Sequence, residues 1–256
     1  MQTRISATLR QLEAAHGIRI LYAAESGSRA WGFPSPGSDY DVRFIYCHPV
    51  AWYLTLDAGP DTLSFPVEDL LDLGGWELRK ALQLLRAANA APFEWLQSPI
   101  VYYEAPGFRA GLAPLLPRAF NLRAGLHHYL GLVRRGLETD LTTEPVRLKR
   151  LFYALRPALA ARWIRVRQSV PPMQFAELAE LLPSELHADV TQLLHLKAEA
   201  DEKTTVVLSA AVRAFLQQEY AAGNASRDAL PVRPGPDPTA ELNQLFRHWL
   251  AAAFAA

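Results

Sequence analysis

Apolar and polar positions follow two periods along this chain. In residues 3–16, Ile5, Leu9 and Leu12 recur three or four apart, with Arg4, Arg10 and Glu13 elsewhere, so an amphipathic helix closed near Gly17 is expected. Ile18–Ala24 is a continuous apolar run and reads as a buried strand. Asp41–Tyr46 is a second strand, most simply paired with the first. Between them Gly32, Pro34, Pro36 and Gly37 prevent a regular helix throughout residues 29–38. After Pro49, residues 53–56 and 62–65 read as short strands around the turn Asp57-Ala58-Gly59-Pro60-Asp61, and 67–73 as a further strand ending at Gly74-Gly75. Residues 76–88 and 92–96 carry helical spacing, and 100–103 is the last strand-like run. Beyond Pro106 such runs vanish. Helices are expected at 107–116, 118–138, 144–168, 173–182, 184–199, 204–223 and 238–255, with a surface loop around 224–237 punctuated by Pro231, Pro234 and Pro236. The pattern predicts an α+β protein: residues 1–106 form a mixed β-sheet with flanking helices, and residues 107–256 an α-helical domain.

Composition narrows the function classes. Half of the 256 residues are apolar, enough for a real core. Lys+Arg and Asp+Glu each number 26, so no global field recruits a polyanion, and any such contact must be local. The single cysteine, Cys47, excludes an internal disulfide and multi-cysteine zinc sites, and is expected to be a packing residue. No run approaches the roughly 20 apolar residues of a membrane span, so a cytoplasmic protein without a membrane partner is expected.

The stretch from Glu25 to Tyr46 concentrates the chemistry. Asp39 and Asp41 leave one face of a strand side by side, which is costly unless a cation lies between them. Clustered carboxylates suit Mg²⁺, a hard ion that shares its shell with water and substrate phosphate, and Gly27-Ser28 upstream offers backbone N–H groups and a hydroxyl to that phosphate. Taken alone, Asp39-Tyr40-Asp41 would be a solvated turn. Arg29 and Arg43 flank the stretch and either bind phosphate or pair with a nearby acid. Arg79 and Lys80 open the helix after Trp76, where they are either solvated side chains or, for one of them, a partner of Asp72. Further on, Lys149, Tyr153 and Arg156 fall at i, i+4 and i+7 on one helix face, suited to stacking a base and reaching phosphates, or forming an ordinary amphipathic face with a half-buried tyrosine. Trp31, Trp76 and Trp95 have apolar neighbours and read as core. Walker-type Gly-Lys-Ser/Thr and Gly-x-Ser-x-Gly sequences are missing, which argues against a P-loop ATPase and a serine hydrolase.

Gly27-Ser28, a gap of residues 29–38, and Asp39-Tyr40-Asp41 in a strand resemble the signature of the nucleotidyltransferase superfamily that includes DNA polymerase beta. More narrowly, Gly27–Gly32, Ser38–Arg43, Asp72–Lys80 and Glu94–Tyr102, with a weaker match at Leu148–Pro157, resemble the nucleotidyltransferase branch associated with RNA ligases. The resemblance implies that Asp39 and Asp41 are catalytic metal ligands and Gly27-Ser28 the triphosphate-binding turn. It also implies two Mg²⁺ ions, with Mn²⁺ as a substitute, and a helical half that closes over the nucleotide. Asp72 is the chosen third carboxylate, with Glu68 as the alternative metal ligand because it shares parity with Asp72 in an unbroken strand; Asp69 would point away. The implied reaction moves a nucleoside monophosphate from a nucleoside triphosphate to a hydroxyl acceptor, an RNA end in this branch, with release of pyrophosphate. The competing class is a non-catalytic nucleotide sensor or toxin–antitoxin-type interaction protein of the same fold.

Overall fold

The computed structural model describes residues 1–201, 203–232 and 235–255, so Arg233 and Pro234 of the proline-rich loop lie outside the described residues. The chain forms two compact units. One comprises Met1–Gly27, Asp39–Ala119 and Gly235–Ala256, the other Ser28–Ser38 and Phe120–Pro234.

The first unit is built on a five-stranded mixed sheet. Helix α1 (Gln2–His16) ends where Gly17 takes the left-handed conformation, and buries Ile5 and Leu9. Strand β1 (Arg19–Ser26) runs antiparallel to β2 (Tyr40–Cys47), with Ser26 opposite Asp41. The short helix α2 (Gly27–Trp31) follows β1 directly. After helix α3 (Val50–Tyr53) come β3 (Thr62–Ser64) and β4 (Leu71–Glu77), then α4 (Leu78–Arg86), α5 (Ala90–Leu96) and β5 (Val101–Glu104). The strand order is β3-β4-β2-β1-β5, and the β2/β4 pair is parallel. Val42, Phe44 and Tyr46 face a core shared with Ile5, Leu9, Leu71 and Leu73. By the two-residue period, Asp41 and Arg43 leave the opposite face. Gly75 is required at the centre of β4, because a Cβ there would lie 2.2 Å from the Phe44 ring. Helices α6 (Phe108–Leu112) and α7 (Leu116–Ala119) complete this unit together with the C-terminal helix, Thr239–Ala252.

The second unit is a helical assembly. Helix α8 (Leu122–Arg135) buries Leu126, Tyr129, Leu130 and Val133. Strand β6 (Val146–Arg147) leads into α9 (Leu148–Arg167), followed by α10 (Phe175–Leu178), α11 (His187–Glu199), β7 (Thr205–Val206) and α12 (Ala210–Ser226). The Thr239–Ala252 helix is α13 in this order. β6 and β7 pair in a two-residue antiparallel ladder, so strand structure does not vanish after residue 106 as expected. The Ser28–Ser38 segment belongs here because Phe33 packs 4.9 Å from Phe152 and 5.6 Å from Phe175 between ring centroids.

Two further expectations change. Residues 53–56 are not a strand: Val50–Tyr53 is helical, and the Tyr53 hydroxyl donates to the Glu77 carboxylate at 2.5 Å. The strand expected at 67–73 begins only at Leu71 and continues through Gly74-Gly75 to Glu77. Asp69 and Leu70 have φ values of 47° and 67°, a turn that a continuous strand could not contain.

Candidate functional site: a carboxylate pair beside Gly27

The parallel register of β2 and β4 puts Asp41 directly beside Asp72. Arg43 lies between them on the same face: Nη1 and Nη2 donate to the two carboxylate oxygens of Asp72 at 3.1 and 2.8 Å, and Nη2 is 3.6 Å from Asp41 Oδ1. The guanidinium fork matches the carboxylate in a bidentate pair. One positive charge therefore serves both Asp41 and Asp72; Asp39, expected beside Asp41 on one strand face, precedes β2, which begins at Tyr40. The expected pairing of Asp72 with Arg79 or Lys80 gives way to this one. Lys80 instead bonds Asp61 at 2.8 Å, and the Arg79 guanidinium lies over the Tyr53 ring at 4.9 Å.

Asp41 is held from two further sides. Its backbone N–H donates to Glu25 Oε1 at 2.7 Å, and Glu25 Oε2 accepts from the Tyr102 hydroxyl. Glu25 is fully buried at the end of an otherwise apolar strand. Gly27, at φ +70°, sits so close beneath Asp41 that a Cβ would lie 2.2 Å from Oδ2 and 3.0 Å from Cγ. Its role here is close approach to a carboxylate. Asp39 stands immediately before β2, half-buried.

Glu68 and Asp69 lie elsewhere. The turn before β4 removes Glu68 from the strand that was to align it with Asp72, and its backbone bridges Leu71. Asp69 is exposed and pairs with Arg4 at 3.3 Å.

Within the helical unit, the Ser28 hydroxyl is buried and donates to Ser38 Oγ at 3.2 Å, while Arg29 Nη2 donates to the Ser38 carbonyl at 2.8 Å. Of the face expected on α9, Lys149 is half-buried, Tyr153 is exposed and packs edge-on against Trp31 at 5.3 Å, and Arg156 is buried. Arg156 donates from Nε and Nη2 to the Met173 carbonyl and lies 4.6 Å from the Trp31 ring centroid. That arginine organises the interior of its own unit, where a cation can stack on an indole face. Trp76, half-buried, and Trp95, buried, stack on each other at 4.0 Å. Cys47 is buried, and burial pushes its thiol up to about 12.

Among the described residues no group of three or more His, Cys, Asp or Glu side chains stands ready to hold a metal ion. What is present is a hard-oxygen pair, Asp41 and Asp72, with Asp39 two residues upstream of Asp41 in sequence. An ion that completes its shell with water and phosphate needs one or two such carboxylates, so the donor chemistry fits Mg²⁺. Glu25 and Tyr102, which hold Asp41, were not singled out in the sequence. The available signal was a lone glutamate closing a buried apolar strand next to Gly27.

Among the described residues no helix is long and apolar enough to cross a membrane. The sequence matches the RNA repair pathway DNA polymerase beta family over residues 1–248. It is 40% identical over 247 residues to the uncharacterized protein YcgL of Bacillus subtilis, an alignment that covers 96% of this chain and 95% of that protein. A nucleotidyltransferase-like protein from Exiguobacterium sibiricum, solved at 1.90 Å, aligns with 94% of this chain and 78% of its own at 12% identity, with a TM-score of 0.32. On the near-complete family match and the relative in B. subtilis, the chain belongs to the RNA repair pathway DNA polymerase beta family, within the polymerase beta-like nucleotidyltransferases.

Proposed function

We propose that this protein transfers a nucleoside monophosphate from a nucleoside triphosphate to a hydroxyl acceptor at an RNA end, releasing pyrophosphate. The observation that carries the reading is the in-register pair Asp41 and Asp72, set against a glycine that admits the Asp41 carboxylate. Asp39, Asp41 and Asp72 would hold divalent metal, Mg²⁺ or Mn²⁺. Bound there, such ions supply charge neutralisation for the triphosphate and a more acidic attacking hydroxyl. Gly27 and Ser28, consecutive in the chain, offer an N–H and a hydroxyl to the triphosphate, and a carboxylate of the set accepts the acceptor's proton. Glu25 and Tyr102 orient Asp41 through its backbone. Arg43 holds the carboxylates apart from one another's charge, and exchanges an oxygen contact for phosphate when substrate arrives. Lys149 and Tyr153 are the α9 residues suited to contact nucleotide, whereas Arg156 acts from the interior.

A second reading, a nucleotide-binding protein of the same fold without turnover, is favoured by the ion pairing of Arg43 with both aspartates. One experiment separates the two. The protein is incubated with Mg²⁺, each α-labelled nucleoside triphosphate and RNAs with defined ends, beside Asp39→Asn and Asp41→Asn variants. Label on RNA that both variants abolish is the expected result. Nucleotide binding with no label on any acceptor establishes the second reading instead.

A further inference from the structure

We propose that Lys197 is a positioning residue for triphosphate binding, acting on Ser28 through Ser35 and Ser38; the inference rests on the reading of Ser28 as a phosphate-binding hydroxyl. Lys197 lies on α11 and is 3% exposed. Lysine is almost never buried so completely, because its ammonium loses its hydration on burial. Here Nζ donates to Ser35 Oγ at 2.9 Å. Ser35 Oγ is 3.1 Å from Ser38 Oγ, which also accepts from the Ser35 backbone N–H at 2.9 Å and lies 3.2 Å from Ser28 Oγ. All three serines are buried. The sequence 28–38 thus folds into a hydroxyl chain with a cation at one end and the Gly-Ser serine at the other, all within the helical unit.

The chemistry of the groups gives this chain a direction. An ammonium has donors and no acceptor, so it fixes Ser35 Oγ as an acceptor and leaves the Ser35 hydroxyl proton to be donated onward. Ser38 Oγ then accepts from the N–H and O–H of Ser35 and keeps a proton of its own to give. Without ligand the Ser28 hydroxyl donates to Ser38 Oγ. When an anion binds, the two hydroxyls rotate, so that the Ser28 proton turns to the anion and Ser38 donates to Ser28 in its place. Head-to-tail donors polarise one another, so the buried charge strengthens the last O–H as a phosphate donor. A leucine or methionine would fill the same space without setting this polarity. Arg29, the cation within the segment, donates to the Ser38 carbonyl at 2.8 Å.

The test is calorimetric titration of ATP, GTP, CTP and UTP, each against its monophosphate, in Mg²⁺. Wild type, Lys197→Met, Ser35→Ala and the double variant are compared, with melting temperatures recorded alongside. Expected is a loss of about tenfold in the preference for triphosphate over monophosphate in Lys197→Met, about threefold in Ser35→Ala, and no further loss in the double variant than in Lys197→Met, since both act on one chain. A purely structural lysine would lower the melting temperature and leave the preference unchanged, which would overturn the inference. If Lys197→Met does not fold, Ser35→Ala decides, and an unchanged preference in it overturns the inference as well. Wild type that binds no triphosphate removes the reading of Ser28 and this inference with it. Wild type whose triphosphate preference ignores Lys197 and Ser35 refutes this inference alone.

Discussion

Substituting Gly27 by alanine separates the stability of the fold from the position of one carboxylate. The backbone there has φ +70°, where an L-residue with a Cβ costs about 1–2 kcal/mol. The new Cβ would also lie 2.2 Å from Asp41 Oδ2, and ordinary contact begins near 3.4 Å, so the carboxylate must retreat by roughly 1 Å. That oxygen is the far end of a side chain, so the retreat is cheap in stability. Its effect on chemistry is large, because a misplacement of about 1 Å at a reacting centre can cost on the order of 100-fold in rate. Gly17 provides the control, since it has φ +61° and nothing within 4 Å of its Cβ position. Gly17→Ala and Gly27→Ala are therefore expected to lower Tm similarly, by roughly 2–8 °C for a chain of this size. Only Gly27→Ala should also lower kcat for nucleotidyl transfer, by about 100-fold. Equal kcat in both variants at equal Tm would refute the claim that the Asp41 carboxylate must stand where Gly27 admits it.

Two further predictions follow from buried carboxylates. Glu25→Ala leaves the Asp41 N–H and the Tyr102 hydroxyl without their acceptor, and should cost roughly 2–4 kcal/mol in urea melts; a loss below about 1 kcal/mol would show that neither bond matters. Burial raises the proton affinity of Glu77, despite its bonds from Tyr53 and from the α4 backbone N–H groups that it caps. A raised folded-state pKa means that the native state binds more protons than the unfolded one across the interval above the ordinary glutamate range. Stability is then greatest below that range and falls as pH rises through the folded pKa. Glu77→Gln should remove this fall, which urea melts between pH 4 and 8 would register as a flatter profile than wild type. An unchanged profile would assign the slope to other groups.

The sequence disclosed the elements whose periodicity was strong and whose partners were near. α1 with its Gly17 stop and the β1/β2 pairing are of this kind, because an amphipathic stripe and a buried apolar run are local signals. The expectation at Tyr53–Leu56 failed where tertiary packing outweighed propensity: Tyr53 is drawn to the buried Glu77, and Leu54 and Leu56 are exposed. The start of β4 failed because Asp69 and Leu70 adopt positive φ, a conformation that aspartate tolerates but that a leucine inside an apolar run does not announce. In the candidate site, the adjacency of Asp41 and Asp72 depends on the register of a parallel pair separated by 31 positions in sequence, and no local pattern contains it. Arg43, whose sequence context suits a phosphate ligand or an ion-pair partner, pairs with both Asp41 and Asp72. Lys197 carried no signal at all, since an isolated lysine on a polar helix reads as solvated until its burial is known.

The order in which the two units share the chain bears on how the protein is made and cut. The backbone passes from one unit to the other at 27/28, 38/39, 119/120 and 234/235. During synthesis the five strands of the sheet are complete by Glu104, yet their unit still lacks α13 until the whole of 120–234 has been translated. The helical unit in turn depends on an eleven-residue loop contributed between β1 and β2, whose Phe33 fills its aromatic interior. No single cleavage therefore yields two intact halves. A fragment ending near residue 106 would present a sheet without its last helix, and a fragment starting there would present helices without Phe33, so mixing two such pieces is a test of complementation rather than of domain independence.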